Sequence, residues 1–267
     1  MAMDGAKLRA KMHGGERVFG TMTSFIRNPR WAEIYGRLGF DYVIVDSEHS
    51  PAGRAEGADL AAAFAWAGVC PILRVPNTEP YEAIKGLDAG FHGVLVPYCE
   101  SADEVRAVVT AARHRPLKGA QHERVRDGKA TLNAATAQYL ATRNADKVLI
   151  IGIESQDAIE NLEAILDVDG IDAIFIGPND LSITLGIPDD FKNPKFIEAY
   201  QYIVDTAQKR GIPAGGHLFN EVLVDYWMDK GSRFILYSSD AGALQAGYRS
   251  ALTKFRGSEI AEEKQVL

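Results

Sequence analysis

Val148-Leu149-Ile150-Ile151-Gly152-Ile153-Glu154 is an apolar run closed by a carboxylate, and Ala173-Ile174-Phe175-Ile176-Gly177-Pro178-Asn179-Asp180 repeats the arrangement one βαβ unit later. A strand with one wet face alternates apolar and polar residues, whereas a run apolar throughout belongs to a parallel strand covered on both faces. Between the two runs Ser155 can cap a helix reaching about Leu166, with Ile159, Leu162 and Ile165 or Leu166 on one face. The same alternation extends outward from this unit. Val18–Thr23, Tyr42–Asp46, Pro71–Val75 and Gly93–Pro97 precede it, and Ile212–Gly216 and Phe234–Ser238 follow. Asn28-Pro29, Asn193-Pro194 and the capping box Ser101-Ala102-Asp103-Glu104 mark helix starts. Eight strand–helix alternations in about 250 residues predict an α/β fold of the (β/α)8 TIM-barrel type in a single domain. A dinucleotide-binding sheet would want Gly-x-Gly-x-x-Gly after an early strand, and the first strand ends instead in Gly20-Thr21-Met22-Thr23.

No linker divides the 267-residue chain. Residues 1–16 read as an N-terminal extension, 17–256 as the barrel and 257–267 as a polar tail, exposed or docked on a partner subunit. Arg113–Lys129, rich in charge and histidine, reads as a long βα loop, and Ala130–Ala141 as a helix. Trp31, Trp66 and Trp227 fall in amphipathic segments and read as core. Acidic residues outnumber basic ones, 36 against 29, for a net charge of −7. That balance argues against nucleic acid or an anionic membrane as partner, since both need a basic face. Cys70 and Cys99 show no metal or redox spacing and read as structural thiols of a cytoplasmic protein. The N-terminus lacks a signal-peptide core, and Leu60–Cys70, the longest apolar stretch, is about half of a membrane span.

A barrel of this kind carries its active site at the C-terminal ends of its strands. Those ends hold nearly all the polar residues of the strand runs: Asp46-Ser47-Glu48-His49, then Arg74, Glu154, and Gly177-Pro178-Asn179-Asp180. Glu154 and Asp180, on adjacent strands, either cap loops and pair with arginines or hold a hard divalent cation, Mg²⁺ or Mn²⁺ with Co²⁺ as a further option. His49 is either satisfied by Asp46 or acts as general acid and base. Arg74 either pairs with Asp46 or Glu48 or binds a carboxylate or enolate oxygen. Backbone amides at Gly177–Asp180 add anion-binding capacity. No lysine is placed inside the barrel for Schiff-base chemistry. His217 ends the seventh strand.

At these residues the chain resembles the HpcH/HpaI family of class II pyruvate aldolases, within the phosphoenolpyruvate/pyruvate barrel superfamily. The resemblance runs from about Val18 to Leu252. It is carried by Val45-Asp46-Ser47-Glu48-His49, Leu73-Arg74-Val75-Pro76, Asp88-Ala89-Gly90, Ile153-Glu154-Ser155 and Phe175-Ile176-Gly177-Pro178-Asn179-Asp180-Leu181-Ser182. It implies a lyase that splits a 4-hydroxy-2-oxo acid into pyruvate and an aldehyde through a metal-stabilised enolate. Glu154 and Asp180 would hold the metal, with Glu48 acting through water and Asp46 supporting the site. Arg74 would hold the keto oxygen, Gly177, Pro178, Asn179 and Asp180 the carboxylate, and His49 would move the proton. Asp88 of a neighbouring subunit would raise the basicity of His49. The family also implies a trimer or hexamer with an exchanged C-terminal helix. Oxaloacetate decarboxylation, malyl-type lysis or simple keto-acid binding would use the same groups.

Two departures stand out. Gly152 replaces a glutamine usual two residues before the metal-binding glutamate. The Pro-x-Gly-x-Arg-Gly loop is replaced by Leu117-Lys118-Gly119-Ala120-Gln121-His122. Gln121, His122, Arg124, Arg126 and His217 are therefore the expected wall of an altered aldehyde pocket.

Overall fold

The computed structural model describes residues 2–51, 53–219 and 221–257. Residues 258–267, most of the expected polar tail, lie outside that range. Eight parallel strands close into a barrel in sequence order. They are β1 (Val18–Thr23), β2 (Tyr42–Asp46), β3 (Cys70–Arg74), β4 (Gly93–Val96), β5 (Val148–Ile153), β6 (Ala173–Ile176), β7 (Ala214–Leu218) and β8 (Phe234–Ser239). The continuous apolar runs mark strands buried on both faces, as the sequence implies. Inside the staves, Met22, Tyr42, Ile44, Ile72, Leu95, Ile150, Phe175 and Leu236 form one packed cluster. Outside, two further clusters bind the helices to the sheet. The β1–β8 register slips between Gly20 and Met22, which bends the end of β8 and puts Ser238 at a left-handed φ of 53°.

Residues 1–16 do more than extend the chain. Helix Gly5–His13 lies across the lower end of the barrel, and Leu8 and Met12 are buried in the interior cluster. It is locked by Asp172, a buried carboxylate that accepts from Arg9 Nε at 2.8 Å, His13 Nε2 at 3.1 Å and the Leu149 amide at 2.8 Å, and pairs with Arg113. Burial alone would raise this carboxyl, but His13, Arg113 and Arg9 hold it below the usual range.

Three expectations need correction. Arg113–Lys129 contains helix Gly119–Arg126, packed on the outer side of helix Ala102–Arg113. It has no buried residue and hence no apolar stripe to betray it. The next helix is Ala134–Arg143, and the single helix expected from Ser155 to Leu166 breaks at Asn161 into Gln156–Glu160 and Leu162–Leu166. Asn161 donates from its side chain to the Glu100 carbonyl at 2.9 Å. Trp227 is core, but Trp66 is 91% exposed and Trp31 partly so. Both cysteines are buried and free. Among the described residues no helix is long and apolar enough to cross a membrane.

Candidate active site

A cavity of ≈880 Å³ opens at the C-terminal ends of the strands and is lined by Asp46, His49, Arg74, Glu154, Asp180 and His217 among others. The rim expected from the strand ends is therefore one place in space. β2 delivers its group through a buried turn. Asp46 accepts from the amides of Glu48 at 3.0 Å and His49 at 3.4 Å, and from Arg74 Nε at 2.9 Å. Burial would raise the Asp46 carboxyl, but the Arg74 hydrogen bond and charge bring it below its ordinary value. Arg74 also places Nη1 3.2 Å from Glu48 Oε2, so the guanidinium is shared between two carboxylates. The structural pairing of Arg74 is thus real, and the same side chain still lines the cavity. His49 Nε2 lies 3.7 Å from Glu48 Oε2, and its ring is half exposed at the cavity mouth.

Glu154 follows β5 and is 2% exposed. The Tyr98 amide reaches Oε2 at 3.3 Å, offered by a residue held at a left-handed φ of 52°. Burial and the neighbouring Glu48 push the Glu154 carboxyl up to about 8, against the pull of Arg74, with Asp180 adding to the rise. Asp180 stands in the first turn of helix Pro178–Thr184, with Pro178 at its start. A Cβ on Gly177 would sit 2.7 Å from Glu154 Oε1, so only glycine leaves that carboxylate its place. Gly152 is similarly tight. A Cβ there would lie 2.9 Å from Pro97 Cα and 3.1 Å from Glu154 Oε1, so the family's glutamine could return only if the strand ends moved.

The donor set suits a hard divalent cation. Glu48 and Asp180 both raise the Glu154 carboxyl and Asp180 also raises that of Glu48, while Arg74 opposes both rises, joined by His49 at Glu48 and by the Tyr98 amide at Glu154. Among the described residues Glu48 Oε2 is buried with no hydrogen-bond partner. No three His, Cys, Asp or Glu side chains of the described residues cluster tightly enough to enclose an ion. Two protein carboxylates with water and substrate oxygens completing the shell is the arrangement Mg²⁺ and its relatives favour.

Not every expected residue reaches this place. Helix Pro80–Asp88 runs down from β3, so Asp88 ends at the opposite end of the barrel, paired with Arg115 at 3.1 Å. Gln121, His122, Arg124 and Arg126 are on the outer helix Gly119–Arg126, and in this chain none lines the cavity. The cause is the downward course of Ala102–Arg113, which carries the following segment away from the rim. His217 alone of the expected wall lines it. Asp240, unmarked in the sequence reading, is buried beneath the β1 loop. It accepts from Thr23 Oγ1 at 3.0 Å and from the amides of Phe25 at 2.9 Å and Ile26 at 2.6 Å. The rule that found the other strand ends would have found it, had the eighth run been read two residues further.

The fold and this rim define a class, that of (β/α)8 barrel enzymes working with carboxylates and a guanidinium at the strand ends. A profile of the HpcH/HpaI aldolase/citrate lyase family matches residues 24–245. The chain is 30% identical over 235 residues to 5-keto-4-deoxy-D-glucarate aldolase of Escherichia coli (strain K12 / DH10B), covering 87% of this chain and 90% of that one. The solved HpcH/HpaI aldolase from Desulfitobacterium hafniense DCB-2 superposes with a TM-score of 0.81 at 28% identity, covering 99% and 100% of the two chains. A family protein from Burkholderia cenocepacia J2315 gives 0.82 at 27%, covering 94% and 99%. The chain belongs to the HpcH/HpaI aldolase/citrate lyase family, as its motifs imply, and is a carbon–carbon lyase acting on keto acids.

Proposed function

We propose that this lyase is an aldolase that cleaves, or forms, a 4-hydroxy-2-oxo acid, with pyruvate and an aldehyde as the products. The observation that carries this reading is the buried Glu154 carboxyl at the cavity, pushed up to about 8 by burial and its neighbours Glu48 and Asp180, with Arg74 opposing the rise. Glu154 and Asp180 would hold a divalent cation, Mg²⁺ or Mn²⁺ with Co²⁺ as a further option, which supplies positive charge where negative charge develops on the keto oxygen. Arg74, fixed by Asp46 and Glu48, directs its guanidinium at the same oxygen and meets the enolate without reorganising. The amides of Asn179 and Asp180, at the opening of their helix, receive the substrate carboxylate. In cleavage the 4-hydroxyl proton passes to His49, the C3–C4 bond breaks with its electron pair entering the enolate, and the aldehyde departs. His49 then returns a proton to C3 and pyruvate forms.

His49 finds no Asp88 in its own chain, so that pairing requires a neighbouring subunit. The C-terminal helix Asp240–Arg256 supports assembly. It packs chiefly on β1 and β8 and leaves Leu244, Tyr248 and Phe255 exposed, a stripe suited to exchange within a trimer or hexamer. The deciding experiment is methyl-proton exchange of pyruvate in deuterated buffer, with and without chelator. Cation-dependent exchange is expected. Its absence in the folded wild type overturns the enolate reading, as does wild-type exchange by Arg74→Ala.

A further inference from the structure

The rim is chemically divided. The ends of β2, β3, β5 and β6 contribute Asp46, Arg74, Glu154 and Asp180, whereas the ends of β7, β8 and β1 contribute His217, Ser239, Asp240, Ser24 and the apolar Phe219, Phe25 and Ile26, and the helix after β8 adds Arg249. On this second side the imidazole of His217 lines the cavity. Its Nε2 lies 2.9 Å from the carbonyl oxygen of Ser238, and a carbonyl only accepts, so Nε2 carries the proton. That leaves Nδ1 with the lone pair. The ring is buried and pressed against Phe219, with centroids 4.6 Å apart, so it has little freedom to turn over. Ser238 itself is fixed by the register slip of β8 and its left-handed backbone, which aim its carbonyl at the histidine.

We propose that His217 selects the aldehyde: its Nδ1 accepts a hydrogen bond from a hydroxyl-bearing acceptor whose body lies against Phe219, Phe25 and Ile26. This rests on the aldolase reading above. A nitrogen with a lone pair welcomes an O–H donor and offers nothing to a C–H in the same place. Burial, with Arg74 adding to it, lowers the imidazole to about 4 against the pull of the Ser238 carbonyl. Near neutral pH the ring is therefore neutral and keeps the Nδ1 lone pair that this hydrogen bond needs.

The test is a ratio. Pyruvate would be condensed with two aldehydes, glycolaldehyde and its deoxy counterpart acetaldehyde. The wild type should favour glycolaldehyde over acetaldehyde in kcat/KM by about tenfold, the scale of one hydrogen bond inside a site. His217→Leu should bring the two within about twofold, and His217→Gln, which keeps a neutral acceptor, should restore part of the preference. Because each ratio is taken within one preparation, a poorly folded fraction cancels. A wild-type preference for acetaldehyde overturns the proposal, and so does an unchanged glycolaldehyde-to-acetaldehyde ratio in both variants. Methyl-proton exchange by the wild type with no aldehyde present tests the aldolase reading separately. If exchange occurs and the ratios do not move, His217 is wrong and the enolate machinery stands.

Discussion

Asp172 and Glu154 are carboxylates of one barrel, 1% and 2% exposed, at opposite ends of neighbouring staves. At the lower end Asp172 meets Arg9, His13, Arg113 and a backbone amide, and its carboxyl is held below the ordinary value. At the upper rim Glu154 has an amide at 3.3 Å and two acidic neighbours, and its carboxyl rises to about 8. Burial penalises the charge of both. The difference lies in what surrounds them. A buried carboxylate supplied with donors is part of the scaffold, and one left short of them at a cavity is kept ready for something that arrives later.

Glu154→Gln tests the contrast most severely. It should abolish cation-dependent exchange, a loss of about 10³ or more, while making the chelated protein more stable at pH 8, because an unpartnered buried charge is gone. Exchange is read by NMR and stability by thermal unfolding. Asp172→Asn should do the reverse, costing about 3 kcal/mol of stability while the folded fraction keeps its activity. Full stability in that variant would make the lower cluster decorative. Gly177→Ala should weaken cation affinity about 10–100-fold by displacing Glu154, measured by calorimetric titration.

The mildest test is pH. The raised carboxyl of Glu154 contributes stability fully present below its ordinary value of 4.5 and lost as pH rises through about 8. The depressed carboxyl of Asp172 contributes stability present above 3.8 and lost as pH falls below it. Chelated protein should therefore melt at falling temperatures between about pH 5 and 8, with Mg²⁺ reversing the trend most strongly at the alkaline end. A profile flat in that window, with and without Mg²⁺, would show that Glu154 is partnered after all.

The barrel and half of its mouth were legible in the residues alone. Continuous apolar runs mark strands covered on both faces, and a polar residue that ends such a run must leave the core at the rim, so Asp46, Arg74, Glu154 and Asp180 could be assembled without coordinates. Distance along the chain says little about distance across the barrel, and there only the tertiary structure decided. His122 reads as pocket wall, but a descending helix carries it to the outer surface, and Asp88, expected to reach His49 only from a neighbouring subunit, ends at the lower end of its own barrel. Asp172 looked like any strand-entry aspartate until Arg9, His13 and Arg113 were seen around it. Whether a buried acid is satisfied depends on groups brought in from other elements, and that is a property of packing that local sequence does not encode.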